Sequence, residues 1–148
     1  MSKKNHEYNL NKDIKIFNKK EINKIINKSK KLNSYRICFH KNSSDKHQEM
    51  IIYQKKGYYY PPKKNIKSDQ TFHIISGKLK IIVFDKIGKI KKKIILSPST
   101  NLYARIKKGV YFCDIAMTDK TLHLETKNCI YNDNTNKLAS FKFDEKKF

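Results

Sequence analysis

Five histidines (His6, His40, His47, His73, His123) and three cysteines (Cys38, Cys113, Cys129) are the side chains best suited to proton transfer, metal ligation or nucleophilic attack. Their spacing excludes several chemistries. No CxxC pair is present, so a zinc ribbon lacks its knuckles. No serine, histidine and acid stand in a triad-like order, and no paired-carboxylate arrangement stands out. The four glycines (Gly57, Gly77, Gly88, Gly109) all sit at turn-like positions, which leaves no material for a phosphate-cradling loop. The remaining polar groups are dispersed through short apolar runs: Arg36 and His40 in YRICFH, Tyr103 and Arg105 in LYARI, His123 and Glu125 in HLET.

The background to these residues is strongly basic. The 148-residue chain, a one-domain length, carries 34 basic against 13 acidic residues and a formal charge of +21. Such a charge invites a nucleic-acid reading, and tyrosines interleave with lysines at KKGYYYPPKK (55–64). Two features weaken it. Only Arg36 and Arg105 are arginines, whereas base reading and bidentate phosphate contacts favour the guanidinium fork. The lysines are also spread evenly, alongside abundant asparagine and isoleucine, as an AT-rich genome produces through its codons. Nucleic acid is therefore not the expected partner. No apolar run is long enough to span a membrane, and the N-terminal lysines are followed by no apolar block of a secretory signal. With three cysteines that cannot all pair internally, a reducing cytoplasm is the expected setting.

The elements that must position these groups are mostly strands. Residues 1–33 form a polar segment, its first thirteen residues expected to be loose. A helix is predicted over about 19–32: Asn18 is the N-cap, Glu21 follows three residues later, and Phe17 can staple onto Ile22. Ile22, Ile25 and Ile26 share its apolar face. From Tyr35 onward, β-rich runs appear at 50–54, 71–76, 78–84, 90–96, 101–106, 110–117 and 121–126, separated by glycine, proline and serine turns. This spacing predicts a mainly β sandwich or barrel, with a hairpin closed on Asp85 to Gly88. The alternating SFKF (140–143) is expected to add an edge strand or stay loose.

One spacing carries more information. Gly57, five residues, Lys63, one residue, Asn65, four residues, Gln70, six residues and Gly77 form a skeleton that resembles the first cupin motif. Lys107-x-Gly109-x-x-Phe112 resembles part of the second. Together with YRICFH (35–40), HQEMII (47–52), YPP (60–62), TFHIISGKL (71–79), FDKIGKI (84–90), LYARI (102–106) and HLET (123–126), the chain is similar over about residues 33–141 to the WbuC-type cupins of O-antigen and surface-polysaccharide gene clusters. The resemblance implies a cupin double-stranded β-helix, a jelly-roll barrel over 34–143, with one N-terminal helix and a polar tail at 144–148.

Cupins of this kind hold a divalent metal at the positions that are Lys63, Asn65, Gln70 and Phe112 here. A protonated lysine has no lone pair and phenylalanine cannot ligate, while the two amides bring no charge. The expectation is a barrel without its usual metal and no cofactor. Lys63 then snorkels to solvent, pairs with an anion, or sits neutral as a base. Asn65 and Gln70 supply hydrogen bonds, and Arg36, His40, Tyr60, Tyr103, Arg105, His123 and Glu125 line the mouth. His73, three residues after Gln70, points to the opposite face and packs between barrel and cover. The function this implies is binding of a nucleotide sugar or another small anion around lipopolysaccharide synthesis, with a homodimer as the expected assembly. The alternatives are an isomerase- or epimerase-like cupin holding a metal through other residues, and a basic nucleic-acid-associated protein.

Overall fold

A computed structural model describes residues 6–8, 13–144 and 146 of the chain. Asn18 caps the helix as its sequence requires: its Oδ1 accepts from the N–H groups of Lys20 at 3.0 Å and Glu21 at 3.3 Å. Helix α1 (Lys19–Lys28) tightens at Ser29–Lys31 into a 3-10 turn, in which the Ser29 hydroxyl donates to the Ile26 carbonyl. The regular helix is therefore shorter than 19–32. Its fully buried Ile25 packs with Phe17, Ile22 and Ile26 on Tyr35, Ile37, Ile51, Tyr53 and Leu122. Full burial of one such isoleucine is worth about 1.5–3 kcal/mol, which anchors an otherwise polar helix.

The strands are β1 (His6–Tyr8), β2 (Ser34–Cys38), β3 (Gln48–Gln54), β4 (Lys63–Asn65), β5 (Gln70–Ser76), β6 (Leu79–Phe84), β7 (Ile90–Leu96), β8 (Tyr103–Ile106), β9 (Tyr111–Ala116), β10 (Thr121–Lys127) and β11 (Asn136–Leu138). One sheet has the order β1-β2-β3-β10-β5-β8 and the other β11-β4-β9-β6-β7. All pairs are antiparallel except β1 with β2. The short β1 corrects the expectation of a wholly loose first segment. The two sheets form the mainly β jelly roll that the turn spacing and the resemblance led us to expect.

Period-two alternation divides every central strand between two environments. Inside, Phe72, Ile74, Leu79, Ile81, Leu96, Ile106 and Phe112 fill one part of the barrel. On the outer face of the second sheet, Ile82, Phe84, Cys113 and Ile115 are covered by Tyr59, Phe141 and Phe143. SFKF thus adds no strand: its two rings pack on Phe84 at 5.3 and 5.6 Å between centroids, and the extra edge strand is β11, paired with β4. The predicted hairpin closes as expected, with Asp85 Oδ1 accepting from the N–H groups of Ile87 and Lys89 and Gly88 at φ +93°. No described helix is long and apolar enough to cross a membrane.

Candidate functional site

The remaining part of the barrel interior is polar. On β10, between β3 and β5, the inward positions are Thr121, His123, Glu125 and Lys127, while Leu122 and Leu124 face the helix. On β9, Asp114 follows Phe112 by two residues and shares its inward face. Gln54 on β3, Asn65 on β4 and Gln70 on β5 complete the group. All of Gln54, Asn65, Gln70, Asp114, His123 and Glu125 are buried.

Hydrogen bonds link them into two chains, Asp114–Gln54–His123 and Glu125–Gln70–Asn65, which meet at His123 and Glu125. Gln54 Nε2 donates to Asp114 Oδ2 at 3.1 Å, and Gln54 Oε1 accepts from His123 Nε2 at 3.2 Å. His123 Nδ1 lies 3.5 Å from Glu125 Oε1 with no hydrogen bond. Gln70 Nε2 donates to Glu125 Oε2 at 2.7 Å, and Asn65 Nδ2 donates to Gln70 Oε1 at 2.9 Å. Burial sets the protonation of the group. The His123 imidazole is pushed down to about 4 by burial, against the pull of Asp114, so it is neutral at physiological pH. Burial raises the Glu125 carboxyl against the opposing fields of Lys63, Lys127 and Arg36. The Asp114 carboxyl is raised by burial and then by Glu125, against His123, Lys63 and the Gln54 hydrogen bond.

Above this floor opens a cavity of about 500 Å³, lined among others by Arg36, His40, Tyr60, Lys63, Glu125 and Lys127. Arg36 Nη2 donates to Tyr60 Oη at 2.6 Å, while its buried Nε has no hydrogen-bond partner. The guanidinium carbon and Lys63 Nζ lie 5.7 and 5.5 Å from the centre of the Tyr60 ring. Lys127 donates to Asn136 Oδ1 at 3.2 Å, and its ammonium is pushed down to about 8 by burial and by the neighbouring charge of Lys63. Three basic side chains therefore crowd one opening.

Several of the sequence-selected residues meet here: Arg36, His40, Tyr60, Lys63 and Glu125 line the cavity, and Asn65, Gln70 and His123 lie in the floor network. Three do not. Phe112, fully buried, stacks edge-on against Phe72 at 5.8 Å in the apolar core. Tyr103 is 55% exposed on β8, and Arg105 turns outward to Asp69 at 2.8 Å. Their alternation with Ala104 and Ile106, which pack inside, was the signal that should have excluded them. His73 faces away from the cavity as expected but is exposed rather than packed under a cover. Asp114, Gln54 and Lys127 join the site without any motif in the sequence to mark them. Asp114 is a lone acid two residues after Phe112 in an apolar run, and Lys127 continues the alternation of His123 and Glu125.

The four positions at which cupins hold their metal do not fit one here. Phe112 is core, Lys63 offers a cation, and the Gln70 oxygen already accepts from Asn65, which leaves the unpartnered Asn65 Oδ1, an uncharged oxygen, as the one donor atom among the four.

Comparison with known proteins agrees with the fold. Residues 17–96 match the profile of a family described as a domain of unknown function, DUF6016. The chain belongs to this family. No curated protein matches the sequence. Among solved structures, the DUF6016 chain is similar to the capsular polysaccharide assembling protein CapF from Staphylococcus aureus, with TM-score 0.62 and 15% identity over 73% of this chain and 30% of CapF. It is also similar to KdgF from Halomonas sp., with TM-score 0.55 and 13% identity over 70% of this chain and 85% of KdgF. Oxalate decarboxylase from Bacillus subtilis gives 0.55 and 11% over 71% of this chain and 27% of its own. The chain thus spans less than a third of CapF and of the decarboxylase. The shared feature is the cupin-type barrel, and at such identities the likeness speaks for fold alone.

Proposed function

We propose that this barrel binds a small anionic sugar derivative, a nucleotide-linked sugar above all, in the setting of surface-polysaccharide synthesis that WbuC-type cupins occupy. The observation carrying this reading is the convergence of Arg36, Lys63 and Lys127 on one cavity of about 500 Å³, a size suited to a small ligand. Arg36 holds a buried Nε without a partner, and a phosphate or carboxylate oxygen would satisfy it with a charge-assisted bond. The mutual repulsion of Lys63 and Lys127 would be relieved by the same anion. At the rim, Tyr131 is 57% exposed and offers a flat face to a sugar ring. The polysaccharide setting draws support from the sequence resemblance and from the fold shared with a capsular polysaccharide assembling protein.

Titration calorimetry with UDP-, GDP- and dTDP-hexoses, in chelator, tests the reading. Binding of one of them at one site is expected, weakened about tenfold by Lys63→Met and by Arg36→Gln, each loss being of the size of one charge-assisted hydrogen bond. Absence of binding by every nucleotide sugar, or affinity indifferent to both substitutions, would overturn it.

A further inference from the structure

We propose that Asp114, His123 and Glu125 form a divalent transition-metal site in the floor of the barrel, distinct from the four positions cupins use, with Gln54 and Gln70 as its orienting residues. Each of the three offers one donor atom, and these atoms all lie within 4.8 Å of one another. Two donors about 2.1 Å from a common ion stand at most about 4.2 Å apart, so seating an ion needs side-chain shifts of under about 1 Å.

The lone pair that points to a ligand is His123 Nδ1. Its residue is fully buried, the atom has no hydrogen-bond partner, and it lies 3.5 Å from Glu125 Oε1. The orientation of this ring is not accidental. Gln54 Nε2 donates to Asp114, so the same amide presents its oxygen to the histidine, which must then carry its proton on Nε2. Nδ1 is thereby left bare. Outer-shell partners of this kind fix the tautomer and direction of metal-binding imidazoles. Gln70 holds Glu125 through Oε2 in the same manner and leaves the Oε1 side toward the histidine. Two amides therefore steer three ligands toward one point.

The donor set selects the ion class. Two carboxylates balance a dication, and one neutral imidazole without thiolate favours manganese, iron, cobalt or zinc over magnesium or calcium. Glu125 also borders the cavity, so an ion held here has an open side. Lys63 is the cation whose field reaches both Asp114 and Glu125, and it competes with the metal for them.

The test uses untagged, chelator-treated full-length protein titrated with Co²⁺ alone, followed by its visible d–d absorption and by calorimetry. One equivalent is expected, with a visible band of a nitrogen- and oxygen-ligated ion. Asp114→Asn and His123→Gln are each expected to weaken binding at least thirtyfold, and Lys63→Met to tighten it several-fold. Glu125→Gln serves if either of the first two fails to fold. Absence of stoichiometric Co²⁺ binding by the folded protein, or binding untouched by these substitutions, would overturn the proposal. Because no sugar is present, the result is independent of the anionic-ligand reading, for which Lys63→Met moves affinity in the opposite direction.

Discussion

His40 shows how one buried side chain couples the cavity wall to pH. Its Nδ1 lies 3.1 Å from the Glu49 N–H and 3.0 Å from the Glu49 carbonyl, and burial holds its pKa below the usual 6.5. A folded pKa below the unfolded one means that the unfolded chain binds the proton more readily. Stability from His40 is therefore fully present above about pH 6.5 and is lost as pH falls through the folded value. Urea unfolding between pH 7.5 and 5 should show a smaller acid loss for His40→Gln than for the parent protein. Identical slopes would mean that His40 does not titrate differently in the two states. Lys63 belongs to the same scale. Its identity was legible as a departure from a metal-binding position, but its orientation over Tyr60 and its reach to two acids separated by eleven residues were not.

At the scale of elements, the turn between β5 and β6 depends on Gly77. Its φ is +77°, and an added Cβ would come within 2.8 Å of the Lys120 carbonyl oxygen in the loop before β10. Gly77→Ala meets both backbone strain and a clash with backbone that cannot swing aside. A loss of about 1–3 kcal/mol is expected in chemical denaturation, larger than for Gly57→Ala, whose Cβ would meet nothing within 4 Å. Equal effects at the two glycines would show that the loop before β10 yields. The strand runs themselves were readable because each alternates locally and ends in turn chemistry. The role of SFKF was not, since four alternating residues suit an edge strand equally well as two rings over an apolar face. The choice was made by the uncovered surface of Phe84, Tyr111 and Tyr59.

The whole molecule presents a charge of +21 in which lysines vastly outnumber arginines. Dispersed lysine gives a diffuse positive field, and diffuse phosphate contacts weaken steeply with salt. We expect retention of a random single-stranded oligonucleotide at about 50 mM salt to vanish by about 200 mM, with no defined stoichiometry. Saturable binding of one strand per protein at the higher salt would move the function to nucleic acid. The concentrated positive charge lies instead inside the barrel mouth, where Arg36, Lys63 and Lys127 come from three different strands.

Length, turn residues and period-two apolar runs determined by themselves that this chain builds a capped helix followed by a mainly β sandwich or barrel, because helix caps, turns and alternation act over a few residues. The spacing from Gly57 to Gly77, through its resemblance to the first cupin motif, pointed to the cupin type of barrel. Only the tertiary structure decided what stands in the polar floor. Asp114 and Glu125 come from different sheets, and Gln54 reaches His123 on the neighbouring strand and Asp114 across the barrel. Which of the scattered acids, amides and imidazoles share one buried volume follows from strand pairing and from how two sheets close on each other, and no local pattern encodes that closure.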